Sequence, residues 1–353
     1  MAITADVLNS TYGQWADRNI MSFQTATPFM RMLQEKALIT KNMTGTYIER
    51  PFMSGSPGTA IALPNGTETY TLSGVAAVKK LQLETARFAG GIPISGKALS
   101  MNDGPEGVLK LIKQYPVAYL QSVTQDLESR FLVGSAQANH NTIATGDLLY
   151  WVTLNGNLST GLGTGNANGV LDYAAPSAQT DSVFGLAKDD AYEHVNQYGD
   201  ATNWATNGMS TLRSVYRQCA ARGLGQGPDL IYPDFDTFGK IDEFKLAQVR
   251  TKVVEDKTET SNMLILEIGP RAQIAYSIYL DRSHANFGGN ASDGIVYLLD
   301  TDFWELVWRE MPNVGKFESK TADQDVLIAK FLMDGNAICN KLAAQGVVTG
   351  TGT

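Results

Sequence analysis

The stretch "LETARFAGGIPISGKAL" (Leu83–Leu99) begins as a strand, breaks at two glycines and ends as the approach to a helix. Upstream of it, "GTYIERPFM" and "KKLQLETARF" each have strand character. In the second, Leu81 and Leu83 alternate with Lys80, Gln82 and Glu84, the period of a half-buried strand. Between them lies "SGSPGTAIALPNGTETYTLSG", rich in Gly, Ser, Thr and Pro, with Pro64-Asn65-Gly66 a strong turn signal. The pattern predicts a long hairpin over residues 46–98 with a mobile tip. A two-stranded hairpin alone buries too little apolar surface to offset its chain entropy. It needs a surface to lie on, either the chain's own core or that of a neighbour.

The strongest helical signal follows at once. In "GPEGVLKLIKQYPVAYLQSVTQDLESRFLVG", Val108, Ile112, Tyr115, Tyr119, Val123, Leu127 and Phe131 form one apolar stripe. Pro116 should kink it, and Gly134 marks its end. An earlier helix is expected over "PFMRMLQEKAL" (28–38), with Pro28 in its first turn. Residues 135–180 have loop character. Further on, "GMSTLRSVYRQCAARG" carries Leu212, Val215, Tyr216 and Cys219 on one face and stops at Gly223. "DFDTFGKIDEFKLAQ" carries Phe235, Phe238, Ile241 and Phe244, with Asp234 as its N-cap. A short buried strand, "PDLIYPD", separates the two, and the unit predicts an independent α/β lobe. The remainder is strand-rich: "NMLILEIG", "AQIAYSIYL", "GIVYLLD", "WELVWRE" and "DVLIAKFLMDGNAIC", the last expected to break at Asp334-Gly335. No internal repeat of fixed period is present.

Chemistry is sparse. A formal net charge of −8, with no Lys/Arg run longer than Lys79-Lys80, argues against a generic nucleic-acid binder, which needs clustered cations for phosphates. No eighteen-residue apolar run occurs, so no membrane span or membrane partner is expected, and no secretory signal is visible at the start. Cys219 and Cys339 lie far apart among apolar neighbours, as small buried residues in a reducing compartment. His140, His194 and His284 are dispersed and match no metal-ligand spacing. "GLGTGNANG" lacks the Lys-Ser/Thr of a phosphate loop. The acid pairs Asp234/Asp236 and Asp300/Asp302 suit a cap and turns. The Asn-x-Ser/Thr triplets at Asn9, Asn42, Asn65, Asn157 and Asn290 fit chance in an Asn- and Thr-rich chain. No cofactor and no enzymatic activity are expected.

The order of parts resembles the major capsid proteins of tailed bacteriophages, the Hong Kong 97-type α+β fold. Three stretches carry the likeness. "KKLQLETARFAGGIPISGKAL" resembles the returning strand of that family's extended E-loop. "AQIAYSIYLDRSH" with "SDGIVYLLDTDFWELVWRE" resembles its paired strands around a loop. "TADQDVLIAKFLMDGNAICNKLAAQGVVTG" resembles its characteristic ending.

The resemblance implies an N-terminal arm over 1–45 and an E-loop hairpin over 46–98. It implies a peripheral (P) domain over 99–180, with a spine helix near 105–133, and an α/β axial (A) domain over 181–262. Residues 263–353 would supply the closing strands of both domains. It further implies self-assembly through hexamers and pentamers into an icosahedral shell around double-stranded DNA, held without sequence-specific contacts. The hairpin would lie across a neighbouring copy in a head-to-tail contact that closes into rings. Pro64, Asn65, Gly66, Leu81 and Leu83 are then intersubunit candidates, and Gly90, Gly91 and Gly96 hinge candidates. A portal protein and decoration proteins are possible partners. No scaffolding segment of the family's cleaved type precedes Thr11, which implies a separate scaffolding protein or a chain already processed. Nothing in the residues points to a Lys–Asn crosslink. The expected location is the virion, after assembly in the host cytoplasm. An encapsulin-like shell around enzyme cargo shares the same fold and is the alternative.

Overall fold

The structure, a computed structural model, describes residues 32, 36, 39–40, 45, 47–53, 78–95, 97, 119, 123, 131–132, 154, 170–171, 182–187, 194–249, 271–276, 280, 293–319 and 326–351. In chain order these form β1 (Ile39–Thr40), β2 (Tyr47–Met53), β3 (Val78–Glu84), β4 (Ala86–Ser95), β5 (Ser182–Val183), β6 (Leu186–Ala187) and β7 (Gln197–Asn203). They continue with α1 (Met209–Arg222), β8 (Leu230–Pro233), α2 (Phe235–Val249), β9 (Gln273–Ile274), β10 (Asp293–Leu299), β11 (Trp304–Ser319), β12 (Val326–Cys339) and β13 (Gly346–Thr351).

Two larger sheets organise the chain. One has the order β7-β13-β10-β8-β9, the other β1-β11-β12-β4. In the first, side-chain alternation sorts residues to two faces. Ile231, Ile274, Val296, Leu298 and Val348 face one way and share a core with Leu212, Val215, Tyr216 and Cys219 of α1 and Ile241 of α2. Leu230, Tyr232, Ile295, Tyr297, Leu299 and Val347 face the other way, into a core that also holds Trp304, Trp308, Phe331 and Met333 from β11 and β12. The helix–strand–helix unit is therefore not independent. Its sheet is covered by helices on one side and by the rest of the molecule on the other.

The two helices form where their spacing predicts. In α1 the four expected residues are buried, and the Gly223 N–H donates to the Cys219 carbonyl at 2.7 Å to close the end. In α2 the Asp234 carboxylate accepts from the Thr237 N–H at 2.5 Å, as expected of an N-cap, and from the Ile295 N–H of β10 at 2.8 Å. The expected aromatic stripe of α2 is only partly buried. Ile241 and Thr237 face inward, while Phe235 and Phe244 remain 52% and 38% exposed. Phe235 instead packs edge-on against Tyr276, with ring centroids 5.5 Å apart.

Two expectations are corrected along the strands. β4 runs through Gly90-Gly91 without a break, because both residues stay in register with β12, opposite Phe331 and Lys330. β12 likewise continues through Asp334-Gly335. The irregularity falls instead on its partner, where Arg309 of β11 is the extra residue between the Trp308–Gly335 and Glu310–Asp334 pairs. Within 135–180 the three described residues lie in bends, as the loop character predicts, and they are packed inside. Leu154, Val170 and Leu171 are buried, and the Leu154 N–H donates to the Phe131 carbonyl at 2.6 Å. Tyr119, Val123, Phe131 and Leu132 are helical, and Met32 is helical in the earlier segment. The rest of both predicted helices, the strand at 262–269 and the Gly-rich loop at 161–169 lie outside the described residues.

Candidate functional site at the root of the arm

β2 and β3 pair antiparallel from Tyr47–Glu84 to Met53–Val78, as the alternation predicts. Residues opposite one another share a face, so Ile48, Arg50, Phe52, Leu81 and Leu83 point one way. That face is turned inward. Ile48, Phe52, Leu81 and Leu83 are all buried in the chain's own core, Leu81 completely. This corrects the expectation that Leu81 and Leu83 are presented to a neighbour: burial of two leucines stabilises by about 1.5–3 kcal/mol each, and that burial is already met within the chain. The Gln82 N–H also donates at 2.8 Å to Phe184, in the turn of the β5–β6 hairpin. Pro64, Asn65, Gly66 and Gly96 lie outside the described residues.

Gly90 and Gly91 sit inside a paired strand. A Cβ on Gly90 would lie 1.5 Å from the Tyr119 hydroxyl oxygen, so the missing side chain makes room for that ring. Tyr119 in turn stacks edge-on against Phe331, opposite Gly90, at 5.8 Å.

Two ion-pair joints hold the segment around β1 and β2 to the start of β11. In the first, Arg50 grips Glu305 with two donors, Nε to Oε2 at 2.6 Å and Nη2 to Oε1, and Thr40 Oγ1 also donates to Oε1. Burial alone raises a carboxyl's pKa, but these hydrogen bonds outweigh it and hold Glu305 below its ordinary value. β1 is placed to contribute because it pairs in parallel with β11 at Leu306 and Val307.

In the second joint, Lys36 Nζ donates to Asp229 Oδ2 and, at 2.6 Å, to Asp302 Oδ1. Arg271 Nη2 donates to Asp302 Oδ2 at 2.9 Å. Asp229 also accepts from the Thr301 N–H at 2.8 Å and from Thr301 Oγ1 at 2.5 Å. Asp300 is fully buried. Its N–H is held by Gln345 at 2.8 Å and its Oδ1 accepts from the Asp302 N–H at 3.3 Å. Its Oδ2 is buried with no hydrogen-bond partner among the described residues. Oxygens of Asp229, Asp300 and Asp302 lie within 4.8 Å of one another, a donor set able to hold a hard cation. Burial, and then the neighbouring Asp229, pushes the Asp300 carboxyl up to about 7. Asp302 is held below its ordinary value despite its partial burial, because Lys36 and Arg271 donate to it.

The turn character of Asp300 and Asp302 was legible in "LDTDFWE", and the cap geometry agrees. That Lys36, Asp229 and Arg271 join them was not, since 193 residues separate Lys36 from Asp229.

No protein-family model matches the sequence, and no curated protein matches it. Solved structures do. A chain of the Cyanophage A-1(L) capsid aligns with TM-score 0.55 and 11% identity, covering 88% of this chain and 89% of that one. A chain of the capsid of Myoviridae phage XM1 aligns with TM-score 0.50 and 10% identity, covering 90% and 91%. The likeness covers about nine-tenths of each chain, and the chain has a phage capsid-protein fold.

Proposed function

We propose that this protein is a major capsid protein, which assembles into hexamers and pentamers of an icosahedral shell enclosing double-stranded DNA. The observation that carries the reading is the fold shared along about nine-tenths of both chains with two phage capsids. In this reading residues 1–45 are the N-terminal arm, the β2–β3 hairpin with residues 54–77 is the E-loop, and the helix through Tyr119 and Phe131 is the spine of the P-domain. The sheet carrying α1 and α2 is the A-domain. Its role is structural rather than catalytic, in the virion, with a scaffolding protein and a portal as partners. The net charge of −8 suits a lining that does not trap packaged DNA.

The buried root of the hairpin supports a division of labour. The root is anchored at home by Leu81, Leu83 and the Arg50–Glu305 pair, and the residues between Met53 and Val78 do the reaching. Any hinge of the arm then falls outside the paired Gly90 and Gly91, at Thr85 between β3 and β4 or at Gly96. Negative-stain microscopy of the purified protein tests the reading. Closed shells, with nucleic acid in particles isolated from infected cells, are expected. A small monodisperse species under all conditions, or particles carrying an enzyme in place of nucleic acid, overturns it.

A further inference from the structure

When all three are ionised, which for Asp300 means above about pH 7, the carboxylates of Asp229, Asp300 and Asp302 bring three negative charges to one point, and the two cations beside them, Lys36 and Arg271, supply two positive ones. One charge is left uncompensated in a place where Asp229 is 3% exposed and Asp300 not at all. Buried charge without a partner is costly, and Asp300 Oδ2 stands there with no donor. A divalent ion in place of the Lys36 ammonium makes the sum zero.

Geometry chooses among ions. Magnesium demands a near-ideal octahedron at about 2.0–2.1 Å, whereas calcium accepts irregular sets of oxygens at about 2.3–2.6 Å. Three carboxylates fixed by separate hydrogen bonds, with oxygens within 4.8 Å of one another, suit the more tolerant ion. Lys36 marks the position a cation takes, since its Nζ already bridges Asp229 and Asp302.

We propose that Asp229, Asp300 and Asp302 bind a calcium ion in exchange for the Lys36 ammonium, so that the ion unfastens the stretch before β1 from the start of β11. The site is independent of the shell reading, because all three carboxylates belong to one chain.

Calorimetric titration of the full chain with calcium chloride tests it, alongside labelling of Lys36 by an amine-reactive reagent read by mass spectrometry. One saturable ion per chain is expected, with magnesium at least tenfold weaker. Lys36→Met removes the competitor and should tighten calcium binding at least tenfold. Asp300→Asn should weaken it at least tenfold, and Asp236→Asn, in the first turn of α2 and outside the cluster, should leave it unchanged. Labelling of Lys36 should rise several-fold with calcium. Absence of saturable binding in both the wild type and Lys36→Met overturns the site, whatever the fate of Asp300→Asn. Binding with Lys36 labelling unchanged or reduced overturns the exchange. Shell formation in either case leaves the capsid reading standing.

Discussion

Gly335 shows how one absent side chain sets a strand. It lies opposite Trp308, and a Cβ there would sit 2.5 Å from the Val307 carbonyl oxygen and 2.5 Å from the Trp308 ring. The backbone oxygen cannot swing aside as a flexible side chain does. Gly335→Ala should therefore destabilise the subunit by about 1–3 kcal/mol, as overpacking does elsewhere. Urea denaturation with intrinsic tryptophan fluorescence will measure it. Glu305 gives the pH dependence. Its native pKa lies below the ordinary value of 4.5, so the ionised form is favoured by folding. The stability it contributes is complete above pH 4.5 and is lost as pH falls through the native value. Thermal unfolding from pH 7 to pH 3 should show that loss in the wild type, and Glu305→Gln should remove this component of it. An unchanged acid limb in the variant would show that Arg50 contributes nothing through this pair.

At the scale of elements, α2 depends on a single carboxylate. Asp234 caps the helix through the Thr237 N–H and also receives the Ile295 N–H from β10, so it fixes helix to sheet as well as starting the helix. Loss of an ordinary cap costs about 1 kcal/mol, and each buried donor left unpaired adds about 1–3 kcal/mol. Asp234→Ala should thus cost more than a cap alone, about 2–4 kcal/mol by denaturant titration. Asp234→Asn, which retains an acceptor, should recover part of it. α1 has no such dependence: its anchorage is spread over Leu212, Val215, Tyr216 and Cys219.

On the whole-molecule scale the proposed capsid reading divides the hairpin into a root and a reach. The root belongs to the subunit's own core and is fastened by the Arg50–Glu305 pair. Replacing residues 54–77 with a short Gly-containing turn should leave a folded subunit with nearly unchanged thermal stability. The same variant should fail to form closed shells, as sedimentation and microscopy will show. Normal shells from it would remove the arm from assembly. Unfolding would show instead that the reach, too, is needed at home.

Local chemistry was enough to write down much of this molecule. Helical spacing gave α1 and α2 their places, alternation gave the β2–β3 hairpin, and Gly223 and Asp234 marked helix ends, because each of these signals acts over a few residues of chain. The failures share the opposite character. What covers the apolar face of the hairpin, whether Gly90-Gly91 or Asp334-Gly335 interrupts a strand, and which base meets which acid at Lys36 and Asp229 all depend on partners distant in sequence. A strand's periodicity states that one face will be buried, but only the packed sheets decide what buries it. A carboxylate's sequence neighbours likewise do not reveal the charge that will stand opposite it once the chain has closed.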